Sequence, residues 1–267
     1  MMDSGLRPTF HHTLRLCLLP LALLGVCAPL WLHWGEPGLF LAINQACMVL
    51  PAPVWTGLSL LGNVWGVLAV TSPLLLLAPR LQWAWLCAVP FGVLFARLGK
   101  GLIESLRPAG VIDNQLFRIV GEKLELASMP SGHTLTAFAV ASSLYFALDA
   151  PRRRRFVWLW LLAATVGLSR IAVGAHWPGD VAVGACLGVI AGLLGHVLWH
   201  RLGAAYWNPQ GWRLRTLALL LAVTVYTLLD EPLDFEENLL LQRFLAALVA
   251  VVLLVFAMRS AKALRAE

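Results

Sequence analysis

Charged side chains are scarce in this sequence of 267 residues, where they make up only 13% of the chain. A soluble globular domain carries about 25% charged and about 45–50% apolar residues, whereas 60% of this chain is hydrophobic. So little charge excludes a disordered chain, and a soluble fold of this size could not enclose so much apolar surface. The composition therefore predicts an integral membrane protein.

Cysteine pairs at metal-binding spacing are also missing. The five cysteines are scattered, odd in number and mostly placed within apolar runs. Without a Cys-x-x-Cys spacing, neither a zinc site nor a disulfide framework is indicated. The positive charges, which give a net charge of +6, lie in short gaps between apolar runs. A nucleic-acid-binding protein would cluster them on one face, so we expect no nucleic-acid partner.

Eight apolar stretches are candidates to cross a bilayer, which takes about 20 residues. The apolar run of the first is too long for a signal peptide, and the short stretch Gly38–Leu50 is expected to lie along the membrane interface. The predicted membrane-spanning helices cover residues 14–33, 54–78, 82–99, 132–149, 156–174, 179–199, 214–229 and 239–258.

The distribution of lysine and arginine predicts the orientation of these helices. If the N-terminus is cytoplasmic, thirteen of the 20 basic residues fall inside and the other seven outside. The run Arg152–Arg155 contributes most to this bias, which is typical of cytoplasmic loops. We therefore expect an all-α integral membrane protein with both termini in the cytoplasm, folded as a single membrane domain over residues 1–267.

A first polar cluster contains Lys100, Arg107 and Pro108. On a helix, residues seven apart return to the same face about 10.5 Å along the axis. Lys100 and Arg107 are therefore expected to reach toward one point from successive turns, and Pro108 to end the helix. The alternative is that both cations only extend toward the membrane surface from a helix end.

A second cluster, Pro130-Ser131-Gly132-His133, directly precedes an apolar run. Serine and proline are frequent at helix starts, and a helix start presents free backbone N–H groups that can bind an anion. Gly132 would allow close approach of that anion, and His133 in the first turn could hold or deliver a proton. A capped helix start with an incidental histidine is the alternative.

The third cluster contains Arg170, His176 and Asp180. His176 and Asp180 are four residues apart, so one helical turn brings the imidazole and the carboxylate together. A carboxylate that accepts from one ring nitrogen fixes the tautomer and makes the other nitrogen more basic. Arg170 adds a bidentate donor suited to phosphate oxygens. The alternative is a histidine and an aspartate that merely satisfy each other in a loop.

In the predicted topology all three clusters lie on the same side of the membrane, opposite the cytoplasm, where they can converge on one tetrahedral anion. The arrangement resembles the type 2 phosphatidic acid phosphatase superfamily, which also includes glucose-6-phosphatase and vanadium haloperoxidases. The family pattern is Lys-x6-Arg-Pro, Pro-Ser-Gly-His and Ser-Arg-x5-His-x3-Asp. This sequence matches all three parts in order, without a substitution, over about residues 100–180.

The resemblance implies a catalytic six-helix core over residues 14–200, with 214–258 as an accessory helical hairpin to which no function is carried over. It implies that His176 is the nucleophile that forms a phosphohistidine, that Asp180 orients its ring, and that His133 is the general acid and then the base. The groups implied to bind the phosphoryl oxygens are Lys100, Arg107, Ser131, the N–H of Gly132, and Arg170.

Three fixed cations can neutralise phosphoryl charge as magnesium does in other enzymes. The sequence contains no HExxH motif and no Walker sequence that would indicate a metal site. We therefore expect no metal and no other cofactor.

The far side of a bacterial inner membrane is the periplasm, so the resemblance predicts a phosphatase acting there on lipid phosphates. Candidate substrates are undecaprenyl diphosphate, lipid A, phosphatidylglycerol phosphate and phosphatidic acid, of which a prenyl diphosphate or lipid A is favoured. Residues 101–130, with Asp113, Arg118 and Lys123, either contribute to substrate selection or form a solvated loop. No protein partner can be inferred.

Two other functions compete with this interpretation. A lipid-to-lipid phosphotransferase would use the same residues and differ only in the acceptor. An anion transporter is a more distant alternative, because it would require broken helices near the membrane midplane in related halves, and the sequence shows no such internal repeat.

Overall fold

The computed structural model describes residues 10–33, 36–208 and 211–265, and within these ranges every regular element is helical. In the same ranges, four short 3-10 segments accompany the α-helices. The α-helices are α1 Phe10–Val26, α2 Ala28–Trp31, α3 Gly38–Ala46, α4 Ala52–Leu60, α5 Val64–Thr71, α6 Leu74–Leu77, α7 Pro79–Leu86, α8 Val89–Leu102, α9 Gly132–Ala147, α10 Ala150–Arg155, α11 Trp158–Ala172, α12 Pro178–Trp199, α13 Trp212–Asp230 and α14 Leu239–Arg265.

Several helices are long and apolar enough to cross a membrane. Within the described ranges there are four: Pro79–Leu102, which joins α7 and α8, then α12, α13, and Glu236–Ala263. A fifth crossing results if the two segments Gly38–Val49 and Ala52–Leu60, bent by 107° from each other, form one broken span. The all-α membrane class is confirmed, whereas eight crossings and two cytoplasmic termini stay predictions.

The stretch 54–78 is not the single helix that its hydrophobicity predicts. It is divided among α4, α5 and α6. At the first break, Asn63 caps α5 by accepting a hydrogen bond from the backbone N–H of Trp65 at 3.0 Å. Gly62 packs so closely that a Cβ there would lie 2.7 Å from the Cβ of His133. This turn therefore lies directly against the start of α9.

Helices α9 and α12 approach each other through a stripe of glycines. A Cβ on Gly184 would lie 2.7 Å from the carbonyl oxygen of Ser131, and one on Gly188 would lie 2.5 Å from that of Leu135. Only glycine permits such close backbone contact, as in the small-xxx-small packing of membrane helices. The stripe holds the start of α9 against the start of α12, and these two helix starts carry the second and third polar clusters.

The C-terminal helices α13 and α14 pack against α5, α6 and α7 through a buried apolar core that includes Leu221, Val249 and Trp85. The loop between α13 and α14 is fastened to α4, because the side-chain amide of Asn238 donates to the carbonyl of Thr56 at 2.9 Å. The hairpin therefore brings its connecting loop to the end of the molecule where α9 begins.

Candidate active site

His176 and Asp180 form a buried pair at the start of α12. The distance from Nδ1 of His176 to Oδ2 of Asp180 is 3.3 Å, and their side chains are 3% and 0% exposed. The same carboxylate oxygen accepts from the Ser128 hydroxyl at 2.5 Å and from the Trp177 backbone N–H at 2.8 Å. Trp177 is the N-cap of α12 and Asp180 is its third residue, so this last bond is the capping-box contact by which Asp180 also caps α12. This network fixes the carboxylate that in turn fixes the imidazole.

The partners of His176 determine its tautomer. A carboxylate can only accept and a guanidinium can only donate, so Nδ1 carries the proton toward Asp180. Nε2 then presents its lone pair to Nη1 of Arg107, 3.4 Å away. Burial lowers the pKa of His176 to about 3, a shift that outweighs the opposite influence of the Asp180 carboxylate. At neutral pH the ring is therefore an uncharged base whose free nitrogen faces a cation.

Arg107 reaches His176 from a loop and not from a helix. Helix α8 ends at Leu102, and Arg107 has extended backbone angles of φ −80° and ψ 165°. The predicted alignment of Lys100 and Arg107 on one helix face is therefore wrong: Pro108 disfavours helical geometry at the residue before it, and the Arg107 N–H pairs instead with the Glu125 carbonyl at 2.8 Å.

The guanidinium of Arg107 is held in place by backbone carbonyls. It is 6% exposed and donates to Leu126 at 2.9 Å, to Ala175 at 3.0 Å and to Ala127 at 3.4 Å. A long side chain that is anchored at this many points loses little further entropy when it binds an anion. The site thus has one rigid cation beside the free nitrogen of His176.

Arg170 supplies a second buried cation from the last turn of α11. It is 4% exposed, and Nη1 donates to the hydroxyl of Ser59 at 2.5 Å. Its Nε is buried and has no hydrogen-bond partner in the structure. An unsatisfied buried donor costs free energy, so this N–H group is available to an anionic ligand.

The second cluster forms the start of α9, as predicted. Ser131 is the N-cap, is fully buried, and accepts from the Thr134 hydroxyl at 2.9 Å. Its backbone N–H donates to the Asp180 carbonyl at 3.0 Å, which joins the second cluster to the third. The space beside Gly132 is open, because a Cβ there would meet no atom within 4 Å. The side chain of Ser131 thus serves the helix start, while the Gly132 backbone remains accessible to a ligand.

His133 is positioned in the first turn of α9, and its partner is a residue that the sequence did not single out. Nε2 of His133 lies 3.0 Å from Oδ2 of Asp234, which belongs to the loop between α13 and α14. The two side chains are 18% and 31% exposed. Both Arg170 and Lys100 act electrostatically on His133, so the three predicted clusters meet at one place.

Lys100 occupies the rim of the site. It lies in the last turn of α8 and is exposed. Its charge interacts with those of Arg107, Arg170 and Asp180. In contrast to the two arginines, Lys100 keeps its freedom to move toward a ligand.

Several residues that complete these contacts were missed by sequence reasoning. Ser59 and Ser128 are single hydroxyls in ordinary surroundings, and no local pattern distinguishes them. Asp234 lies in the acidic stretch Asp230–Glu237, which the predicted topology places on the side opposite the cytoplasm. Its concentration of carboxylates opposite a basic cluster is the one signal that could have pointed to Asp234.

Residues 101–130 were predicted either to contribute to substrate selection or to form a solvated loop, and Arg118 and Lys123 behave differently in the structure. Arg118 is structural, because its guanidinium donates to the carbonyls of Cys47, Leu50 and Ala172 at 3.0–3.2 Å. Lys123 pairs with Glu125 at 2.9 Å, and both are about half exposed. Among the residues that the structure describes, no group of three histidine, cysteine or acidic side chains is arranged to hold a metal ion.

Comparison with known protein families gives one match that covers the three clusters. Residues 80–204 match the PAP2 superfamily. All the sequence-predicted site residues, from Lys100 to Asp180, lie within this segment. Asp234 and the helices α13 and α14 lie beyond it.

Curated relatives carry phosphatase names. A protein of Rhizobium johnstonii named lipid A 1-phosphatase is 34% identical over 145 residues, which cover 51% of this chain and 58% of that protein. Decaprenylphosphoryl-5-phosphoribose phosphatase of Mycobacterium tuberculosis is 30% identical over 168 residues, which cover 60% of this chain and 88% of that one. The chain therefore spans less than two thirds of the lipid A 1-phosphatase and most of the mycobacterial protein.

A solved structure supports the arrangement of helices. The crystal structure of Aquifex aeolicus LpxE is similar with a TM-score of 0.50 and 27% sequence identity. The likeness covers 59% of this chain and 92% of that one. A large part of this chain thus has no counterpart in that structure.

Proposed function

The chain belongs to the PAP2 superfamily, and on that premise we propose that it is a metal-independent membrane lipid phosphatase. In this proposal it removes phosphate from a phosphorylated or pyrophosphorylated lipid through a phosphohistidine on His176. The observation that carries the proposal is the buried His176–Asp180 pair, whose free ring nitrogen faces Arg107 at 3.4 Å. A neutral imidazole oriented by a carboxylate is an activated nucleophile.

In the first step, Nε2 of His176 attacks phosphorus. A nitrogen–phosphorus bond forms while the bond from phosphorus to the leaving oxygen breaks. Asp180 keeps the proton on Nδ1 and stabilises the positive charge that the ring acquires. When substrate binds, a phosphoryl oxygen replaces Nε2 of His176 as the partner of Nη1 of Arg107. Arg107 therefore contacts the nucleophile in the free enzyme and the phosphoryl group in the complex.

The phosphoryl oxygens are bound by groups that surround the nucleophile. Arg107 and Arg170 are fixed donors, Lys100 closes from the rim, and the N–H of Gly132 approaches from the helix start. Donors placed in advance where charge spreads in the transition state lower the barrier without reorganisation at the moment of reaction. The buried unpartnered Nε of Arg170 is the clearest such donor.

His133 then serves both halves of the reaction. It first protonates the leaving oxygen, and afterwards it accepts a proton from the water that attacks the phosphohistidine, so that the nitrogen–phosphorus bond breaks and free phosphate leaves. Its position in the first turn of α9, within reach of the charges of Arg170 and Lys100, suits a group that works beside the phosphoryl oxygens.

A lipid substrate is supported by the surroundings of the site. Beside it lies a cavity of about 660 Å³, lined by apolar residues such as Leu106, Met129 and Trp177 together with Glu36 and Glu104. Trp177 follows the nucleophile directly, and its indole N–H donates to the Leu106 carbonyl at 2.7 Å. Because Leu106 and Trp177 directly neighbour Arg107 and His176 in the chain, the apolar part of this lining suits the hydrocarbon part of a molecule whose phosphate head lies in the site.

The substrate class follows from chemistry and from the relatives together. We favour a prenyl diphosphate or a lipid A phosphate, since the matched relatives include proteins named undecaprenyl-diphosphatase and lipid A 1-phosphatase. The excess of basic residues on the opposite side of the predicted topology supports an inner-membrane protein with the site facing the periplasm.

The test is phosphate release by the purified full-length protein in detergent from undecaprenyl diphosphate, lipid A, phosphatidylglycerol phosphate and phosphatidic acid, with excess chelator. We expect release from at least one lipid, no release by His176→Ala, and normal release by His200→Ala, which removes an imidazole at the far end of α12. Equal release by His176→Ala and the unmodified protein would contradict the proposal, as would activity restored only by a divalent ion. Phosphate recovered on a second lipid identifies a phosphotransferase and overturns the hydrolase assignment.

A further inference from the structure

The loop between α13 and α14 places a carboxylate on His133, at a distance of 101 residues along the chain. Oδ2 of Asp234 lies 3.0 Å from Nε2 of His133 and also accepts from the side-chain amide of Asn63 at 2.7 Å. Asn63 belongs to the same turn that packs against His133 through Gly62. The carboxylate is thus held from two sides, by the start of α9 and by the break between α4 and α5.

The loop that carries Asp234 is firmly seated. The next residue, Phe235, is 5% exposed and packs with Trp55 and Val173, while its ring lies 5.6 Å from the guanidinium carbon of Arg170. Asp234 has a φ of 57°, a conformation that costs free energy in a residue other than glycine. Such a conformation persists only where the surroundings enforce it, which here means the buried Phe235 beside it.

Asp234 is an anion in this environment. Burial alone raises the pKa of its carboxyl, but the hydrogen bonds from His133 and Asn63 and the charge of Arg170 hold that pKa well below its ordinary value. A carboxylate only accepts hydrogen bonds, so Nε2 of His133 carries a proton toward it. Nδ1 of His133 is then the ring atom left to exchange a proton with the substrate.

We propose that Asp234 is a positioning residue for His133, so that the C-terminal hairpin completes the active site. The inference rests on the proposed function, because it concerns the residue that protonates the leaving oxygen and activates water. By accepting from Nε2, Asp234 fixes the ring orientation and stabilises the imidazolium that forms when Nδ1 takes the proton of the attacking water. The hairpin thereby has a catalytic purpose that lies outside the segment matched to the family.

A different role for the same carboxylate predicts different kinetics. If Asp234 instead occupied the position of a substrate phosphate near Arg170, its removal would free the site, so KM would fall and kcat would stay unchanged. A positioning residue acts on the chemical steps, so its removal lowers kcat. The separation of kcat from KM therefore distinguishes the two.

The test compares Asp234→Asn with Asp230→Asn in the full-length protein, using the lipid that gives the highest phosphate release. Asp230 lies in an exposed position at the end of α13, so this control removes one negative charge from the same region. We expect Asp234→Asn to lower kcat about 10- to 100-fold, part of the 10²–10⁴-fold typical of general acid–base catalysis, with KM unchanged or lower. Asp230→Asn should match the unmodified protein.

Two further variants separate positioning from loss of structure. In a His133→Ala background, Asp234→Asn should cause no additional loss of kcat, because residues that act through one another are not additive. Asn63→Ala, which removes the second donor to the carboxylate, should lower kcat in the same direction by a smaller factor. An additive loss in the double variant, or a raised KM, would show that Asp234 supports the fold and overturn the inference.

The outcomes also distinguish this inference from the proposed function. If the unmodified protein releases phosphate and His176→Ala does not, the proposed function stands. In that case, an unchanged kcat in Asp234→Asn would overturn only the inference about Asp234 and would leave the proposed function intact. If no lipid phosphate is released by the unmodified protein, the proposed function fails and the inference fails with it.

Discussion

The two histidine–aspartate pairs of this site are built in opposite ways. His176 and Asp180 are four residues apart, and their side chains are 3% and 0% exposed. His133 and Asp234 are 101 residues apart, and their side chains are 18% and 31% exposed. The first pair is created by one turn of local backbone and the second by the docking of a hairpin.

This difference suits the separate tasks that we propose for the two histidines. A nucleophile has to remain uncharged and fixed, and complete burial achieves both for His176, because desolvation disfavours the protonated ring. A group that gives up a proton and later takes one from water needs access to water, which His133 retains. The two pairs thus use the same residue types in environments that favour different protonation behaviour.

The largest effect that distinguishes the pairs is expected at Asp180. Asp180→Asn should lower kcat about 10³- to 10⁴-fold, the scale of the loss when a catalytic histidine is left in the wrong tautomer. Asp234→Asn should lower it far less, because His133 keeps its place in the first turn of α9 without the carboxylate. Steady-state phosphate release by the two variants under identical conditions measures the ratio of their kcat values.

Equal losses in Asp180→Asn and Asp234→Asn would contradict this ranking of the pairs. Since Asp180 also caps α12, a thermal unfolding curve of each variant should accompany the kinetics. An asparagine side chain can still accept from the Trp177 N–H, so we expect the cap and the fold to survive the substitution.

A smaller effect is expected in the dependence of stability on pH. Burial holds the pKa of His176 at about 3, against 6.5 for an ordinary histidine. Between these values the unfolded chain binds a proton at this position that the folded protein does not, so stability falls as pH falls. His176→Asn removes this contribution, which is at most about 1.4 kcal/mol per pH unit.

The measurement is the unfolding temperature of both proteins in the same detergent between neutral and mildly acidic pH. The unmodified protein should lose more stability on acidification than His176→Asn. Parallel curves would show that the pKa of His176 is not lowered in the folded protein and would contradict its description as a buried neutral base.

Sequence reasoning succeeded where a structure depends on neighbouring residues. The start of α9 at Ser131 and the contact of His176 with Asp180 both follow from spacing along the chain, and the structure has both. The hydrophobic content likewise identified an all-helical membrane protein. These are local or compositional properties, which do not require knowledge of what packs against them.

Sequence reasoning failed where a distant partner decides the structure. The residues 54–78 read as one apolar span, yet the chain breaks at Gly62 and Asn63, which contact His133 and Asp234. Arg107 leaves the predicted helix because its backbone pairs with Glu125. Hydrophobicity alone gives no sign of such long-range contacts, and for this reason the loop holding Asp234 was assigned no function.

The central claim is that His176 forms a covalent bond to phosphorus, and the most direct test is to trap that bond. His133→Ala should be labelled slowly by a lipid carrying radioactive phosphate, because the acid that protonates the leaving oxygen is missing, and should keep the label, because the base that activates water is missing too. The label should be labile in acid, stable in base, mapped to His176 by peptide analysis, and absent from the variant that also carries His176→Ala. A label at any other residue, or one that persists without His176, would contradict the account.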